Sequence, residues 1–338
     1  MNLLSDLVAD YRVWEQERQR EDGLFWQRDV RDAMEESISG SRTCRHIRPT
    51  INSYMFGNAR AIAALARVAS HPELAAEFEA KATTLRKLTQ EYLWNREAEF
   101  FEVRQEDGPF ANVREQLGFI PWYFHLPEPA RGQEVAWRQF TDERGFRAPY
   151  GLTTAERRHP AFRSHGVGSC EWDGAVWPFA TSQTLTALAH VLHDYPGAPV
   201  TKDDYFDALR TYARGHRMNG KPYLGEYLDE QTGAWLKGDH PRSRWYNHST
   251  FADLIITGLA GLRPRLDDVV EVHPLLPAGK WDWFALDRIP YHGRLIAIVW
   301  DRTGTHFQRG RGLSIWSDGQ VIARSDQLER MTAQLPPR

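Results

Sequence analysis

The sequence predicts a mainly α-helical chain that ends in a small β-module. Three observations carry that expectation. Apolar residues recur at helical spacing from residue 3 to about 262. Long loops interrupt the helical pattern at regular intervals. After residue 264 the pattern changes to short β-rich runs between Gly, Asp and Pro turns. With 338 residues, 41% hydrophobic and 26% charged, the chain is long enough to bury a large core in one domain or two unequal ones. The division expected is 1–264 and 265–330.

The helical segments are expected near 3–20, 51–69, 72–93, 113–125, 128–140, 174–194, 202–216 and 247–262. The first carries Leu3, Leu4, Leu7, Tyr11 and Trp14 on one face. The third opens on Pro72 and Glu73, which suit a first turn, and shows a stripe of Leu74, Phe78, Leu85, Leu88 and Tyr92. The sixth carries Val176, Leu185, Leu188, Val191 and Leu192. The last carries Phe251, Leu254, Ile255 and Leu259 and stops near Gly261 and Pro264. In the β-module, VVEVHPLL, RLIAIVW and GLSIWSDGQVIAR read as strands. Asp318-Gly319 reads as a hairpin turn, and the tail TAQLPPR is expected to fray.

Loops 21–50, 94–112, 141–173 and 217–246 are long, whereas the connections near 70–71, 126–127 and 195–201 are short. Connections between packed helices usually run to ~2–8 residues, and longer ones are usually functional. If successive helices are antiparallel, this alternation gathers the long loops on one face, where a rigid scaffold would present binding and catalytic groups.

Composition excludes several classes. The net charge of −3 and the lack of a basic stripe argue against nucleic acid. No apolar run is long enough to span a membrane, and the N-terminus lacks a signal-peptide pattern, so a cytoplasmic location is expected. Cys44 and Cys170 form neither a disulfide framework nor a metal motif, and His240 and His248 lack metal-ligand spacing. No metal and no cofactor are expected. P-loop, dinucleotide and Gly-x-Ser-x-Gly fingerprints are absent. The informative excess is 13 Trp and 12 Tyr, whose rings fill a core or stack on apolar faces of a ligand such as a sugar.

Three loops concentrate acids and aromatics. The first holds Phe25, Trp26, Asp29, Arg31, Asp32, Met34, Glu35, Glu36 and Ser37. The second ends in Glu171-Trp172-Asp173-Gly174-Ala175-Val176-Trp177. There Trp172 and Trp177 suit a sugar platform and Asp173 a hydroxyl-binding carboxylate or a helix cap. The third holds Tyr223, Glu226, Tyr227, Asp229, Trp235 and His240, and runs on through Arg242, Arg244, Trp245, Tyr246 and His248.

In those stretches the chain resembles the (α/α)6 toroid glycoside hydrolases of the mannosylglycerate hydrolase, trehalase and processing α-glucosidase I group. The resemblance covers roughly residues 20–262. The later β-segment resembles that of α-L-rhamnosidase-like toroid enzymes. Asp32-Ala33-Met34-Glu35-Glu36-Ser37 is similar to a loop whose second acid is the proton donor, which implies Glu35, with Asp32 and Glu36 as alternatives. Ala33 stands where glycine is usual. Trp172-Asp173-Gly174-Ala175-Val176-Trp177 is similar to the substrate-binding loop, with Ala175 in place of proline. Gly225-Glu226-Tyr227-Leu228-Asp229 through Gly233 is similar to the segment whose Glu is the general base, which implies Glu226.

The resemblance implies an inverting glycoside hydrolase acting on an oligosaccharide or glycoside. One carboxylic acid would protonate the leaving oxygen and a second carboxylate would activate water. Burial against Phe25, Trp26 or Trp172 would raise the donor's pKa. Catalytic candidates are Glu35, Glu226 and Asp32. Substrate-binding candidates are Trp26, Trp172, Asp173, Trp177, Tyr223, Trp235, His240, Trp245 and His248. A complete toroid of this kind has six hairpins and the helices expected here make about four. A second copy or a preceding N-terminal half would then complete the ring. The alternative is a carbohydrate-binding fragment without turnover.

Overall fold

A computed structural model describes residues 3–28, 31–166, 169–246 and 250–337. It divides into two compact units, Met1–Val200 with Thr211–His248, and Thr201–Arg210 with Ser249–Arg338.

The first unit is built on long helices. Helices α1 (Leu3–Arg18), α2 (Pro49–Val68) and α3 (Pro72–Tyr92) lie close to their expected ranges. Pro49 and Pro72 each occupy a first helical position, where the missing N–H has no intrahelical acceptor to lose. Tyr11, Met55, Phe56, Ile62, Phe78 and Leu85 form the core that joins the three helices, with Tyr11 edge-on to Phe78 at 5.1 Å.

The segments 113–125 and 128–140 differ from expectation. The first holds a 3-10 turn, Gln116–Phe119, and one short helix α4 (Ile120–Tyr123). The second holds Gln133–Trp137 as 3-10 and a short α5 (Arg138–Thr141). Pro129 cannot donate within a helix, and Gly132 is left-handed at φ +83°, so helix cannot start before Gln133. The apolar residues there pack as an aromatic cluster of Phe100, Phe119, Trp122, Trp137 and Phe146, all fully buried. Phe119 and Trp137 lie 4.4 Å apart.

Helix α6 (Pro178–Asp194) starts later than residue 174, because Gly174 has φ +158° and Pro178 opens the first turn. Helix α7 (Lys202–Gly215) matches closely and contributes residues to both units. The long loops contain two-stranded hairpins. These are β1 (Trp94–Asn95) with β2 (Phe100–Phe101), β3 (Arg147–Ala148) with β4 (Gly151–Leu152), and β5 (Arg217–Met218) with β6 (Lys221–Pro222).

In the second unit the expected helix 247–262 is replaced by α8 (Phe251–Asp253) and a π-helical turn, Leu254–Leu259; residues 247–249 lie outside the described residues. Two antiparallel sheets follow. One has the order β13 (Met331–Gln334), β8 (Val269–Val272), β7 (Leu262–Arg263). The other has the order β12 (Gln320–Ser325), β11 (Gly312–Ser317), β10 (Arg294–Asp301), β9 (Trp283–Tyr291). Asp318 and Gly319 have φ of +48° and +82°, the left-handed pair that a tight hairpin needs. The described part of the tail does not fray as far as Leu335. Met331, Ala333 and Leu335 alternate inward, and β13 pairs with β8 from Met331↔Val272 to Gln334↔Val269.

Candidate active site

The first acidic loop is braced from beneath. Asp32 is buried and accepts hydrogen bonds from Arg48 Nε at 2.9 Å, Thr50 Oγ1 at 2.7 Å and the Met34 N–H at 3.3 Å. Both Arg48 and Asp32 side chains are wholly shielded from solvent. Arg48 also donates to Ser37 Oγ at 3.3 Å. Beyond it, Ser39 donates through its N–H and its hydroxyl to Glu115. Burial pushes the Glu115 carboxyl up, against the opposing pull of Arg48 and the Ser39 hydrogen bonds. Within this brace Ala33 and Glu36 take left-handed φ of +58° and +65°. The turn therefore leaves Glu35 half-buried between two fixed points.

The second and third loops are stitched together. Val176 and Leu228 exchange N–H···O bonds of 3.0 Å in an antiparallel bridge, and Leu228 also pairs with Trp235. Arg163 ties both loops, reaching Glu171 and Glu230 at 2.8 Å each. Asp229 accepts the N–H groups of Gln231 and Thr232 at 3.0 and 2.8 Å, which shapes the turn into Gly233. The first loop joins them through Glu36, which accepts the Cys170 N–H at 3.0 Å. All three motif loops thus meet within one unit.

At their junction lie Glu35 and Glu226. Glu226 is 7% exposed, and burial pushes its carboxyl above the usual range. Arg242, Lys237 and the Ser243 hydroxyl act the other way, while the charge of Glu35 adds to the rise. Cys170 is raised first by burial, then by Glu35, Glu36 and Glu226. Tyr246 is raised by burial, then by Glu226 and Glu35. Two separate side chains therefore feel both acids, which brings Glu35 and Glu226 to one locale. Lys237 also lies over the Tyr227 ring at 5.6 Å.

The other candidates differ in their surroundings. The Asp32 side chain is shielded from solvent and its carboxylate is held by Arg48 and Thr50. Trp26 has Arg18 and Arg45 guanidinium groups over its ring at 4.5 and 4.8 Å, so they compete for the ring that a sugar would need. Trp172 stacks on Trp177 at 4.2 Å, and Trp177 on Tyr227 at 4.7 Å. Both tryptophans are 2% exposed, so they form a buried wall and not an open platform. Phe25 packs in the core of α1–α3, and burial raises the carboxyl of Glu226.

Other expected residues gather at the third loop. Tyr223 donates to the Gly238 carbonyl at 2.7 Å and packs against Trp235 and Trp245, each at 5.5 Å. Trp235 donates Nε1–H to the Arg217 carbonyl at 2.9 Å and is nearly buried. Trp245 is 62% exposed, and His240 is exposed as well. Asp173 is buried, with Oδ2 accepting the His165 N–H at 2.8 Å, while Oδ1 has no hydrogen-bond partner among the described residues. Asp29 and His248 lie outside the described residues. Among the described residues no group of three or more His, Cys, Asp or Glu is placed to hold a metal ion.

Sequence reasoning missed Arg48 as the partner of Asp32, the place of Cys170 at the site, and Glu115 and Arg163 altogether. Arg48-Pro49 at the mouth of α2 was the available signal, since a charged residue directly before a buried helix start needs a counter-charge.

A helical scaffold that presents two carboxylates from separate loops, followed by an antiparallel β-module, defines the class of toroid glycoside hydrolases. A family model described as "Mannosylglycerate hydrolase MGH1-like glycoside hydrolase domain" matches residues 1–249, and the chain belongs to that family. A second model, "Glycosyl hydrolase family 65, C-terminal domain", matches residues 262–323. Among solved structures, a protein named "Sialidase" is 51% identical over 98% of this chain, with a TM-score of 0.96. This chain spans 31% of that protein's length. The GH63 mannosylglycerate hydrolase from Thermus thermophilus, in complex with glucose, is 19% identical with a TM-score of 0.56, over 75% of this chain and 68% of its own. The GH78 family rhamnosidase of Bacillus sp. GL1 is 15% identical with a TM-score of 0.58, over 88% of this chain and 28% of its own. The last two share the fold. No helix among the described residues is long and apolar enough to cross a membrane.

Proposed function

We propose that the chain hydrolyses a glycosidic bond with Glu35 as proton donor and Glu226 as the base that activates water, so that the anomeric configuration inverts. The observation that carries this reading is the convergence of the two loops: Glu36, next to Glu35, accepts the Cys170 N–H at 3.0 Å, and Tyr227, next to Glu226, donates its hydroxyl to the adjoining Ser169 carbonyl. A base with its pKa lifted toward the working pH is a stronger proton acceptor, which is what burial does to Glu226. The exposed ring of Trp245 offers an apolar face for the sugar's C–H surface. Tyr223 packs between Trp235 and Trp245, and His240 lies in the same loop.

Glu35→Gln and Glu226→Gln, assayed on a panel of aryl glycosides, test the assignment. Each is expected to lower kcat/KM by about 100–10,000-fold, the usual contribution of a general acid or base. A folded Gln variant with the parent's rate removes that residue from the mechanism. Binding of a glycan by a folded parent chain that turns over none of the panel would favour the non-hydrolytic carbohydrate-binding reading.

A further inference from the structure

We propose that the second unit carries a carbohydrate-binding site of its own, in a cleft of about 560 Å³ lined by Leu259, Lys280, Trp281, Asp282, Trp283 and Phe284. All of these residues belong to that unit. The volume falls within the ~300–1,000 Å³ typical of small-ligand sites.

The cleft is built around two exposed tryptophans, Trp283 at the start of β9 and Trp281 two residues before it. Trp283 is 49% exposed and Trp281 38%. Trp283 is fixed from behind: His306 stacks on it at 3.8 Å with an interplanar angle of 7°, and Phe307 stands edge-on at 5.9 Å. One indole face is covered and the other remains as a rigid apolar plane. Trp281 is steadied by Phe206, edge-on at 5.9 Å, and its carbonyl accepts Trp300 Nε1–H at 3.1 Å. Fixed aromatic planes lose little entropy on binding, which suits weak stacking against sugar C–H faces.

The charged groups of the cleft lining lie in exposed ion pairs. Asp282 is paired with Arg302 at 2.7 Å and Lys280 with Asp203 at 2.9 Å. Their remaining hydrogen-bonding capacity matches the hydroxyls of a neutral glycan. A protein partner would have to bury both ion pairs, and the cores of protein interfaces are depleted in Lys and Asp. Nor does the adjacent strand invite a pairing strand. Although β9 is the sheet edge, it carries Pro290, the exposed charges Asp287 and Arg288, a left-handed Arg288 at φ +56°, and a register shift opposite Ile296 and Ile298. These devices blunt an edge against strand addition. An uncharged sugar chain is the occupant that uses both the planes and the paired charges.

Native affinity electrophoresis of the full chain tests the site, in gels containing yeast mannan, soluble starch or laminarin. Retarded migration is expected in at least one gel. Trp283→Ala and Trp281→Ala should each weaken it by about ten-fold, the scale of one lost aromatic platform, and Glu226→Gln should leave it intact. Trp283→Phe, which keeps a flat ring, should retain part of the retardation and serves where the alanine variant does not fold. Three results would overturn the proposal: no retardation in any gel, retardation that Glu226→Gln abolishes while Trp283→Ala spares it, or a dimer by light scattering that Trp283→Ala dissociates.

Discussion

Replacing Asp32 by alanine separates bracing from chemistry in the first acidic loop. The carboxylate accepts three hydrogen bonds, from Arg48 Nε at 2.9 Å, Thr50 Oγ1 at 2.7 Å and the Met34 N–H at 3.3 Å. Its removal strands the Arg48 guanidinium at a site with no solvent access. Breaking a buried ion pair by deleting one partner costs about 3–5 kcal/mol. Three hydrogen bonds to a charged acceptor at roughly 1.5 kcal/mol each sum to about 4.5 kcal/mol, in the same range. A native domain holds only ~5–15 kcal/mol in total, so the helical unit should be severely weakened. Urea unfolding followed by tryptophan fluorescence is the assay. With a slope near the upper end of about 1–3 kcal/mol per molar, the midpoint should fall by about 1–1.7 M. A second variant sharpens the test. Arg48→Met combined with Asp32→Leu removes both charges, and should recover the part of the loss due to the stranded guanidinium, less what Glu115 loses with the Arg48 charge. The reasoning fails if Asp32→Ala leaves the midpoint unchanged while hydrolysis disappears, for that would make Asp32 a participant in the reaction.

Two further predictions concern the same loops. Ala33 is exposed and left-handed at φ +58°, a conformation that costs an L-residue about 1–2 kcal/mol. Ala33→Gly should therefore stabilise the fold by about 0.5–1 kcal/mol after glycine's extra unfolded-state entropy is subtracted, read as a rise in urea midpoint; a lower midpoint would contradict the strained turn. The raised pKa of Glu226 predicts the acid side of the pH profile. A base works only when ionised, so kcat/KM should fall as pH drops through a pKa above the ordinary carboxylate value. If that same pKa instead marks a loss of activity as pH rises, Glu226 is the donor and the two roles are reversed.

The long helices were legible because their apolar residues repeat at helical spacing and Pro72 marks a first turn, while Pro49 and Pro178 open the two helices whose starts were expected at 51 and 174. The segments 113–125 and 128–140 look similar by apolar content, yet Pro and left-handed Gly deny them the backbone bonds of a helix. The order of the tail was hidden because Met331, Ala333 and Leu335 alternate over too short a stretch to outweigh the two prolines that follow. At the site, the meeting of three loops was foreseeable from loop length and residue type. The fate of individual rings was not. Trp172 and Trp177 look like a platform in one dimension, and only the tertiary stack with Tyr227 shows that their faces are occupied. Burial of Asp32 likewise depends on Arg48, 16 residues away, whose side chain direction no local pattern specifies.

The most direct test of the two-carboxylate account is to follow hydrolysis of an aryl glycoside panel by NMR and to read the anomer released before mutarotation. The account predicts that one glycoside turns over with inverted configuration, and that the signal vanishes in Glu226→Gln. Release of the retained anomer first, or the same turnover in Glu226→Gln, would contradict it.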